Sequence, residues 1–244
     1  MLDDDQRRRF ATDGYVVVPG AVPEELLVAS DREVDELVAE QPPPPSTRGP
    51  HFYFLPPSRL PAADAALRAS GVLALADELV APNHLAHAFD HIQVALNIPP
   101  YPHVPGAPHL DGHRPDEPIG SFTMLAAIFL TDETQPDSGN LWVWPGSHLG
   151  HEALFGERGA DVLRAVSGHA CFLDPPAMFG AGRPLLAARG DLLLAHYLLG
   201  HNIGGNTTDR TRRILYYRLA TTDHRDHWAD TFLDAFAEYP SLRE

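Results

Sequence analysis

Residues Gly190 to Leu219 read GDLLLAHYLLGHNIGGNTTDRTRRILYYRL and contain most of the features that define this chain. Two apolar runs in this segment, Leu192–Leu194 and Ile214–Leu219, have the composition of β-strands. The glycines between the two runs interrupt the apolar pattern, as turn residues do. The segment therefore predicts two strands joined by a turn.

The same segment carries polar residues of two useful kinds. His196 and His201 lie between the apolar runs, and the pair Arg212-Arg213 precedes the second run. A neutral imidazole can bind a metal ion, and a guanidinium group matches the shape of a carboxylate. Further metal ligands are therefore expected elsewhere in the chain.

Composition sets broad limits on fold and function. A chain of 244 residues with 44% hydrophobic residues is expected to form one domain over residues 1–244. The formal net charge of −15 argues against nucleic acid as a partner, since binding its backbone needs clustered cations. All 18 basic residues are arginines, which excludes a lysine nucleophile or Schiff base. No apolar run is long enough to span a membrane.

The chain begins with MLDDDQRRRF, which lacks the apolar core of a secretory signal. The single cysteine, Cys171, cannot form an intramolecular disulfide. A cytoplasmic location is therefore expected. The sequence leaves open whether the protein is a monomer or a dimer.

Helical patterns precede a series of spaced strand patterns, with no βα alternation. The predicted helices are Asp3–Thr12, Pro23–Glu40, His151–Val166 and Trp228–Tyr239, with one or two more within Ala62–Val80. The predicted strands are Tyr15–Val18, Asp90–Asn97, Ser121–Thr131, Leu141–Trp144 and Leu185–Ala187, and Gln41–Pro57 is predicted to be a loop. This order favours a mainly β fold with flanking helices, in which a jelly roll forms the core. The predicted parts are a mostly helical N-terminal cap with loops (1–86), the jelly-roll core (87–222) and a C-terminal helix (223–244).

A His-x-Asp motif, His109-Leu110-Asp111, lies in the predicted core. In a strand, residues two apart project to the same side, so both side chains can reach one metal ion. Together with a later histidine they would form the two-histidine, one-carboxylate triad that holds non-haem Fe(II). A second such motif, His224-Arg225-Asp226, follows all the strands and is interpreted as a solvated turn.

Four segments, in order along the chain, resemble the phytanoyl-CoA dioxygenase (PhyH) family of Fe(II)/2-oxoglutarate oxygenases. They are Asp13–Pro19 (DGYVVVP), His109–Gly112 (HLDG), Gly139–His148 (GNLWVWPGSH), and Gly190–Asp191 continuing through His201 to Arg213. The resemblance implies a double-stranded β-helix core, which is a cupin-like jelly roll.

The resemblance also assigns roles to individual residues. His109, Asp111 and His201 match the catalytic metal ligands. Arg212 matches the arginine that binds the distal carboxylate of 2-oxoglutarate, which the family places eleven positions after the distal histidine, as 212 − 201 = 11 does here. By this spacing His196 and Arg213 are neighbours of the site and not members of it.

Other positions are assigned by their place in the pattern. Gln93 and Asn97 lie on a strand that lines the 2-oxoglutarate pocket in relatives. His113, Trp142 and Phe54 are candidates for contacting substrate. Ile203 stands where many relatives have a small hydroxyl residue that can bond 2-oxoglutarate, and Asn206, Thr207 and Thr131 are candidates to replace it.

The implied function is an Fe(II)- and 2-oxoglutarate-dependent dioxygenase that uses O₂ to hydroxylate an unactivated C–H bond of a small organic molecule. Succinate and CO₂ would be released. The carboxylate of Asp111 favours oxygenation over halogenation, while desaturation and epimerisation stay open. The substrate is expected to be a free, mostly apolar molecule of secondary metabolism. The alternative is a non-redox, metal-binding cupin-like protein or isomerase, which would have no need of Arg212.

Overall fold

The computed structural model describes residues 1–112, 120–167 and 170–243. Its helices are α1 (Asp4–Asp13), α2 (Glu24–Glu40), α3 (Pro61–Arg68), α4 (Val72–Val80), α5 (Ser147–Arg158), α6 (His224–His227) and α7 (Asp230–Leu233). Its first strands are β1 (Tyr15–Val18), β2 (Gly49–Leu55), β3 (Leu85–His87), β4 (Ile92–Ile98), β5 (Leu110–Asp111), β6 (Met124–Phe129) and β7 (Leu141–Val143). The remaining strands are β8 (Leu163–Ser167), β9 (Ala170–Leu173), β10 (Arg183–Pro184), β11 (Leu192–His196), β12 (His201–Ile203) and β13 (Arg212–Thr221).

The strands form two layers. The larger layer has the order β1-β11-β6-β13-β4-β2, with β3 paired to β13, and all its pairings are antiparallel. Opposite it lie two three-stranded sheets, β10-β7-β12 and β5-β9-β8. A backbone bridge between His109 and His201 connects these two small sheets. The predicted mainly β, cupin-like jelly roll is therefore confirmed.

Each central strand of the larger layer is buried on both faces, which explains why its sequence reads as a continuous apolar run. In β11, Leu192 and Leu194 face a core shared with the helices, whereas Leu193 and Ala195 face the core between the layers. Strand β6 alternates in the same way. Helices α1 to α4 therefore cover one face of the larger layer, and its other face lines the interior.

The predicted positions of the first two helices and the first strand are confirmed. The side chain of Asp3 accepts a hydrogen bond from the Gln6 backbone N–H (2.8 Å) and so caps α1. Gly14 ends this helix with a φ of 81°, a left-handed conformation that favours glycine. Strand β1 and helix α2 lie where the sequence pattern predicts them. Helix α1 at the start of the chain is consistent with the predicted helical N-terminal cap.

Four local predictions are wrong. The predicted strand Leu185–Ala187 is absent, because strand β10 is Arg183–Pro184 and Ala187 forms only an isolated bridge. The predicted loop Gln41–Pro57 contains the edge strand β2, whose seven residues all pair with β4. The predicted helix His151–Val166 ends earlier, at the close of α5, and strand β8 follows it. The predicted C-terminal helix consists instead of α6, α7 and a 3₁₀ turn at Pro240–Leu242, and Leu233 is exposed.

Among the described residues, no helix is both long enough and apolar enough to cross a membrane. The division into a single domain with the boundaries given above stays a prediction.

Replacing Leu194 with alanine should destabilise the fold by about 2–5 kcal/mol, because this fully buried side chain joins β11 to the helical cap and its loss leaves a cavity. Urea unfolding followed by circular dichroism measures the effect. The control is Val28→Ala on the exposed side of α2, which should stay close to the wild type. Equal unfolding free energies for the two variants would contradict this description of the core.

Candidate metal centre and adjoining pocket

Backbone pairing brings the two histidines of the candidate metal site together. The N–H of His109 donates to the carbonyl of His201 (2.9 Å), and the N–H of His201 donates to the carbonyl of His109 (3.1 Å). Strand β12 begins at His201 and pairs with β7, while β5 follows His109 and pairs with β9. The two imidazoles therefore lie where the two small sheets meet, with their ring centroids 4.5 Å apart.

Asp111 completes the cluster. Its Oδ1 lies 3.6 Å from Nε2 of His109 and 3.4 Å from Nε2 of His201. One ligand atom from each of the three residues lies within 4.8 Å of the others, and no other such group of histidine, cysteine or acidic residues occurs in the part of the chain that the structure describes. The spacing of His109 and Asp111 thus does place both side chains on one side of the strand.

Three hydrogen bonds orient two of these ligands. Nδ1 of His201 lies 3.0 Å from the carbonyl of Leu199 and donates to it, so in the neutral ring the lone pair of Nε2 faces the cluster. The outer oxygen of Asp111, Oδ2, accepts bonds from Nη2 (2.5 Å) and Nε (3.2 Å) of Arg218. Both side chains of this ion pair are at least nine-tenths buried.

The charges in the cluster follow from burial and from this ion pair. Burial opposes ionisation of Asp111, but the Arg218 guanidinium and the bonds from both histidines outweigh it and hold the carboxyl pKa well below its usual value. Burial lowers the pKa of His109, with a further contribution from His201. For His201, burial also acts to lower the pKa, but the bond and the charge of Asp111 raise it above the usual value.

Two imidazole nitrogens and one ionised carboxylate oxygen are a donor set suited to a divalent transition metal such as Fe(II). The buried Nδ1 of His109 has no hydrogen-bond partner among the described residues, and in the tautomer that carries its proton on Nδ1 the Nε2 lone pair can bind an ion. The residues present therefore fit the expected metal.

The cluster opens into a cavity of about 500 Å³. The metal-binding candidates and two arginines, Arg212 and Arg218, supply most of its polar wall. The rest of the wall is mainly apolar and includes Phe52, Phe54, Leu125, Leu141, Phe172 and Ile203.

At the wall of this cavity, the Arg212 guanidinium contacts a backbone carbonyl and a buried carboxyl group. Its Nε donates to the carbonyl of Gly139 (2.8 Å) and lies 3.6 Å from Oε1 of Glu133. Glu133 is fully buried, and neither of its carboxylate oxygens has a hydrogen-bond partner in residues 1–112, 120–167 and 170–243. Burial raises the Glu133 pKa to about 8 even though Arg212 acts to lower it. The carboxyl group is therefore largely neutral at pH 7.

Tyr216 also borders the cavity on the same strand as Arg212. Burial raises its pKa to about 12, although the nearby Arg212 guanidinium acts to lower it. Thus Tyr216 supplies a hydroxyl on the cavity wall that also includes Ile203. By contrast, Asn206 and Thr131 bond to backbone groups and hold loops in place.

Only some of the other residues predicted to contact 2-oxoglutarate or substrate line the cavity. Gln93 and Phe54 line the cavity, and Oε1 of Gln93 is buried without a hydrogen-bond partner among the described residues. Asn97 is fully buried, but its side-chain amide donates to the carbonyl of Gly204 (2.9 Å) and does not line the cavity.

Trp142 does not line the cavity, because the alternation of β7 turns Leu141 inward and the Trp142 ring packs against the backbone of Gly204. The placement of Trp142 as a substrate contact is therefore not supported by the geometry. His113 lies outside the described residues.

The choice between duplicated residues agrees with the structure. Both ring nitrogens of His196 bond to backbone groups, at Ala235 (2.6 Å) and Leu198 (2.9 Å), and burial lowers its pKa to about 3. Arg213 points to the opposite face of β13, where it forms ion pairs with Asp31 and Asp35 of α2.

The second His-x-Asp motif is not a solvated turn, so that interpretation is wrong. His224 is buried and lies 3.0 Å from both carboxylate oxygens of Glu238 and 2.9 Å from the hydroxyl of Ser121. These contacts attach the C-terminal segment to the core.

Three residues of the candidate site were not predicted from the sequence: Glu133, Tyr216 and Arg218. A signal for two of them was present, because every second residue of β13 from Arg212 onward must face the same side as Arg212. Glu133 had no such signal, since it follows β6 in a stretch of polar residues that resembles an ordinary turn.

The fold and the site together define a cupin-like protein with a two-histidine, one-carboxylate metal site. A sequence profile of the phytanoyl-CoA dioxygenase (PhyH) family matches residues 10–214. The chain therefore belongs to this family, as the four motifs predicted. No match is found among curated proteins.

Several solved structures have the same fold. The structure of HygX from Streptomyces hygroscopicus with nickel and 2-oxoglutarate bound is 19% identical, with a TM-score of 0.61 over 91% of this chain and 88% of that one. The epimerase SnoN from nogalamycin biosynthesis, in complex with Fe3+, alpha ketoglutarate and nogalamycin RO, is 22% identical, with a TM-score of 0.62 over 89% and 82%. AviO1 from Streptomyces viridochromogenes Tue57 is 18% identical, with a TM-score of 0.61 over 90% and 96%.

Replacing Glu133 with glutamine should stabilise the protein at alkaline pH. Between the unfolded value of 4.5 and the folded value of about 8, the folded state holds one more proton than the unfolded state. Wild-type stability should therefore fall as pH rises through this window, by about 1 kcal/mol per pH unit, and glutamine removes the effect.

Thermal unfolding of the protein without metal or 2-oxoglutarate, at about pH 5 and about pH 8, measures this difference. Glu133→Gln should match the wild type at the lower pH and exceed it at the higher pH. The control Glu157→Gln changes an exposed acid and should follow the wild type at both. Parallel curves for Glu133→Gln and the wild type would mean that Glu133 is ionised in the folded protein throughout.

Proposed function

We propose that the protein is an Fe(II)- and 2-oxoglutarate-dependent oxygenase that oxidises a C–H bond of a small organic molecule. The observation that carries the proposal is the shared cavity: the His-Asp-His cluster and the Arg212 guanidinium line the same space of about 500 Å³. A metal-binding protein without redox chemistry would need the cluster but not a buried arginine beside it.

Family membership and the similar structures support this proposal. HygX and SnoN are each described with a metal ion and 2-oxoglutarate bound, and HygX and SnoN are also described with hygromycin B and nogalamycin RO, respectively. By analogy, His109, Asp111 and His201 would hold the iron here. The bound iron would supply the oxidising chemistry, with O₂ as oxidant and with succinate and CO₂ as products of 2-oxoglutarate.

The protein's own residues would bind and orient the cosubstrate. Arg212 is the group to bind the distal carboxylate of 2-oxoglutarate, since an arginine–carboxylate pair in a water-poor pocket is strong and directional. Glu133 is compatible with this arrangement as long as it stays protonated, because a neutral carboxyl does not compete for the guanidinium charge. Tyr216 and Gln93 would complete the polar end of the pocket with neutral hydrogen-bonding groups.

The remaining wall suits an apolar substrate. Phe52 and Phe54, on the edge strand β2, and Phe172, on β9, border the cavity and would exclude water from the reacting atoms. We therefore propose a mostly apolar small molecule of secondary metabolism. Hydroxylation is the proposed outcome, although an epimerase and the carbocyclase SnoK are among the structures with the same fold.

Replacing Arg212 with alanine should weaken 2-oxoglutarate binding by at least about a hundredfold, because removing one partner of a buried ion pair costs about 3 kcal/mol or more. Under anaerobic conditions, the wild type with Fe(II) and 2-oxoglutarate should develop a weak visible charge-transfer band, whose titration gives the dissociation constant. Adding air should then yield succinate.

Arg213→Ala is the matched control, because Arg213 is the next residue of the same strand but forms its ion pairs on the outside. It should retain the wild-type band. If the wild type binds Fe(II) without developing the band or forming succinate, the oxygenase proposal fails and the non-redox alternative is favoured.

If the band and succinate do form, succinate formation above the basal rate with a panel of metabolites identifies the substrate class.

A further inference from the structure

Arg218 contacts the candidate metal ligand Asp111 in a one-sided way. Its Nη2 and Nε both donate to Oδ2, at 2.5 and 3.2 Å, whereas Oδ1 is the oxygen that faces the two imidazoles. The two oxygens of one carboxylate therefore have separate partners.

The guanidinium is better anchored than the carboxylate that it holds. Arg218 lies within the ten-residue strand β13, where its backbone pairs with Leu125 and accepts a bond from the N–H of Ala88 (2.8 Å). Its guanidinium carbon lies 5.8 Å from the centre of the Phe122 ring. Arg218 is thus fixed by the larger layer on several sides.

Asp111, in contrast, ends a strand of only two residues, β5, which pairs with β9 at the junction of the two small sheets. The short strand fixes the position of its backbone but leaves the side-chain torsions free. The ion pair with Arg218 holds Oδ2 of this carboxylate and connects the two layers at the metal site.

The orientation of this carboxylate has a chemical consequence. A carboxylate can bind a metal ion through one oxygen or through both. In a two-histidine, one-carboxylate site that also binds 2-oxoglutarate through two atoms, one-oxygen binding leaves a position for O₂, and two-oxygen binding closes it.

We propose that Arg218 is a positioning residue that keeps Oδ2 of Asp111 off the metal, so that Asp111 binds through Oδ1 alone and the position for O₂ stays open. This inference rests on the proposed function for the identity of the metal and of its other ligands. It goes beyond that function by assigning a separate task to an arginine that does not bind 2-oxoglutarate.

The direct test compares crystals of the wild type and of Arg218→Met grown with Mn(II) and no 2-oxoglutarate. Methionine removes both donors while keeping a long apolar side chain in the cavity wall. In the wild type, only Oδ1 should lie at bonding distance from the metal. In Arg218→Met, both oxygens should bind. One-oxygen binding in the variant would overturn the proposal.

A second measurement uses nitric oxide, which binds iron where O₂ would. With Fe(II) and 2-oxoglutarate bound under anaerobic conditions, nitric oxide affinity followed by electron paramagnetic resonance should fall about 10- to 100-fold in Arg218→Met, the range found for residues that support metal ligands. The visible band of the 2-oxoglutarate complex should persist. Arg218→Lys, which can still donate to Oδ2, should recover part of the affinity.

The outcomes separate this inference from the proposed function. A wild type that binds Mn(II), but develops no 2-oxoglutarate band when Fe(II) is used, contradicts the proposed function. The Mn(II) crystals then still decide the role of Arg218. A folded Arg218→Met with wild-type nitric oxide affinity, or one that binds no metal, overturns the positioning role. Arg213→Gln is the control for losing a cation from β13 and should match the wild type in both measurements.

Discussion

The site depends on the reciprocal backbone pairing between His109 and His201. These two residues are far apart in the chain, and each lies at an end of a short strand that is too small to be stable by itself. Their two hydrogen bonds join the sheets β10-β7-β12 and β5-β9-β8 into one layer that can cover the larger one. The same bonds place two imidazoles side by side, so the contact that closes the jelly roll also assembles the metal ligands.

Strand β13 provides the opposite wall of the site. Its outward residues, such as Leu215, Tyr217 and Leu219, pack beneath the helical cap, and its inward residues include Arg212, Tyr216 and Arg218. A strand with two buried arginines is stable only if their charges are compensated. Arg218 is compensated by Asp111, whereas Arg212 has only a long contact with a carboxyl that burial keeps protonated. This difference leaves Arg212 available for a carboxylate ligand.

Much of this arrangement could be predicted from the sequence, since it rests on local patterns. Capping residues and apolar periodicity located α1 and α2, and the spacing implied by the resemblance to the PhyH family favoured His201 and Arg212 over His196 and Arg213. What was missed depends on tertiary contacts. The edge strand β2 follows a proline-rich stretch and forms only because β4 offers it a partner, and the C-terminal segment breaks into short helices because His224 and Glu238 are drawn into the core. Glu133 is exceptional because burial of an acid cannot be read from an acidic turn.

The most direct measurement of the central claim is a crystal structure of the protein with Mn(II) and 2-oxoglutarate added together. The account predicts a metal ion bound by Nε2 of His109, Nε2 of His201 and an oxygen of Asp111. It also predicts that the distal carboxylate of 2-oxoglutarate lies against the guanidinium of Arg212. A metal ion at the three ligands with 2-oxoglutarate absent, or bound away from Arg212, would contradict it.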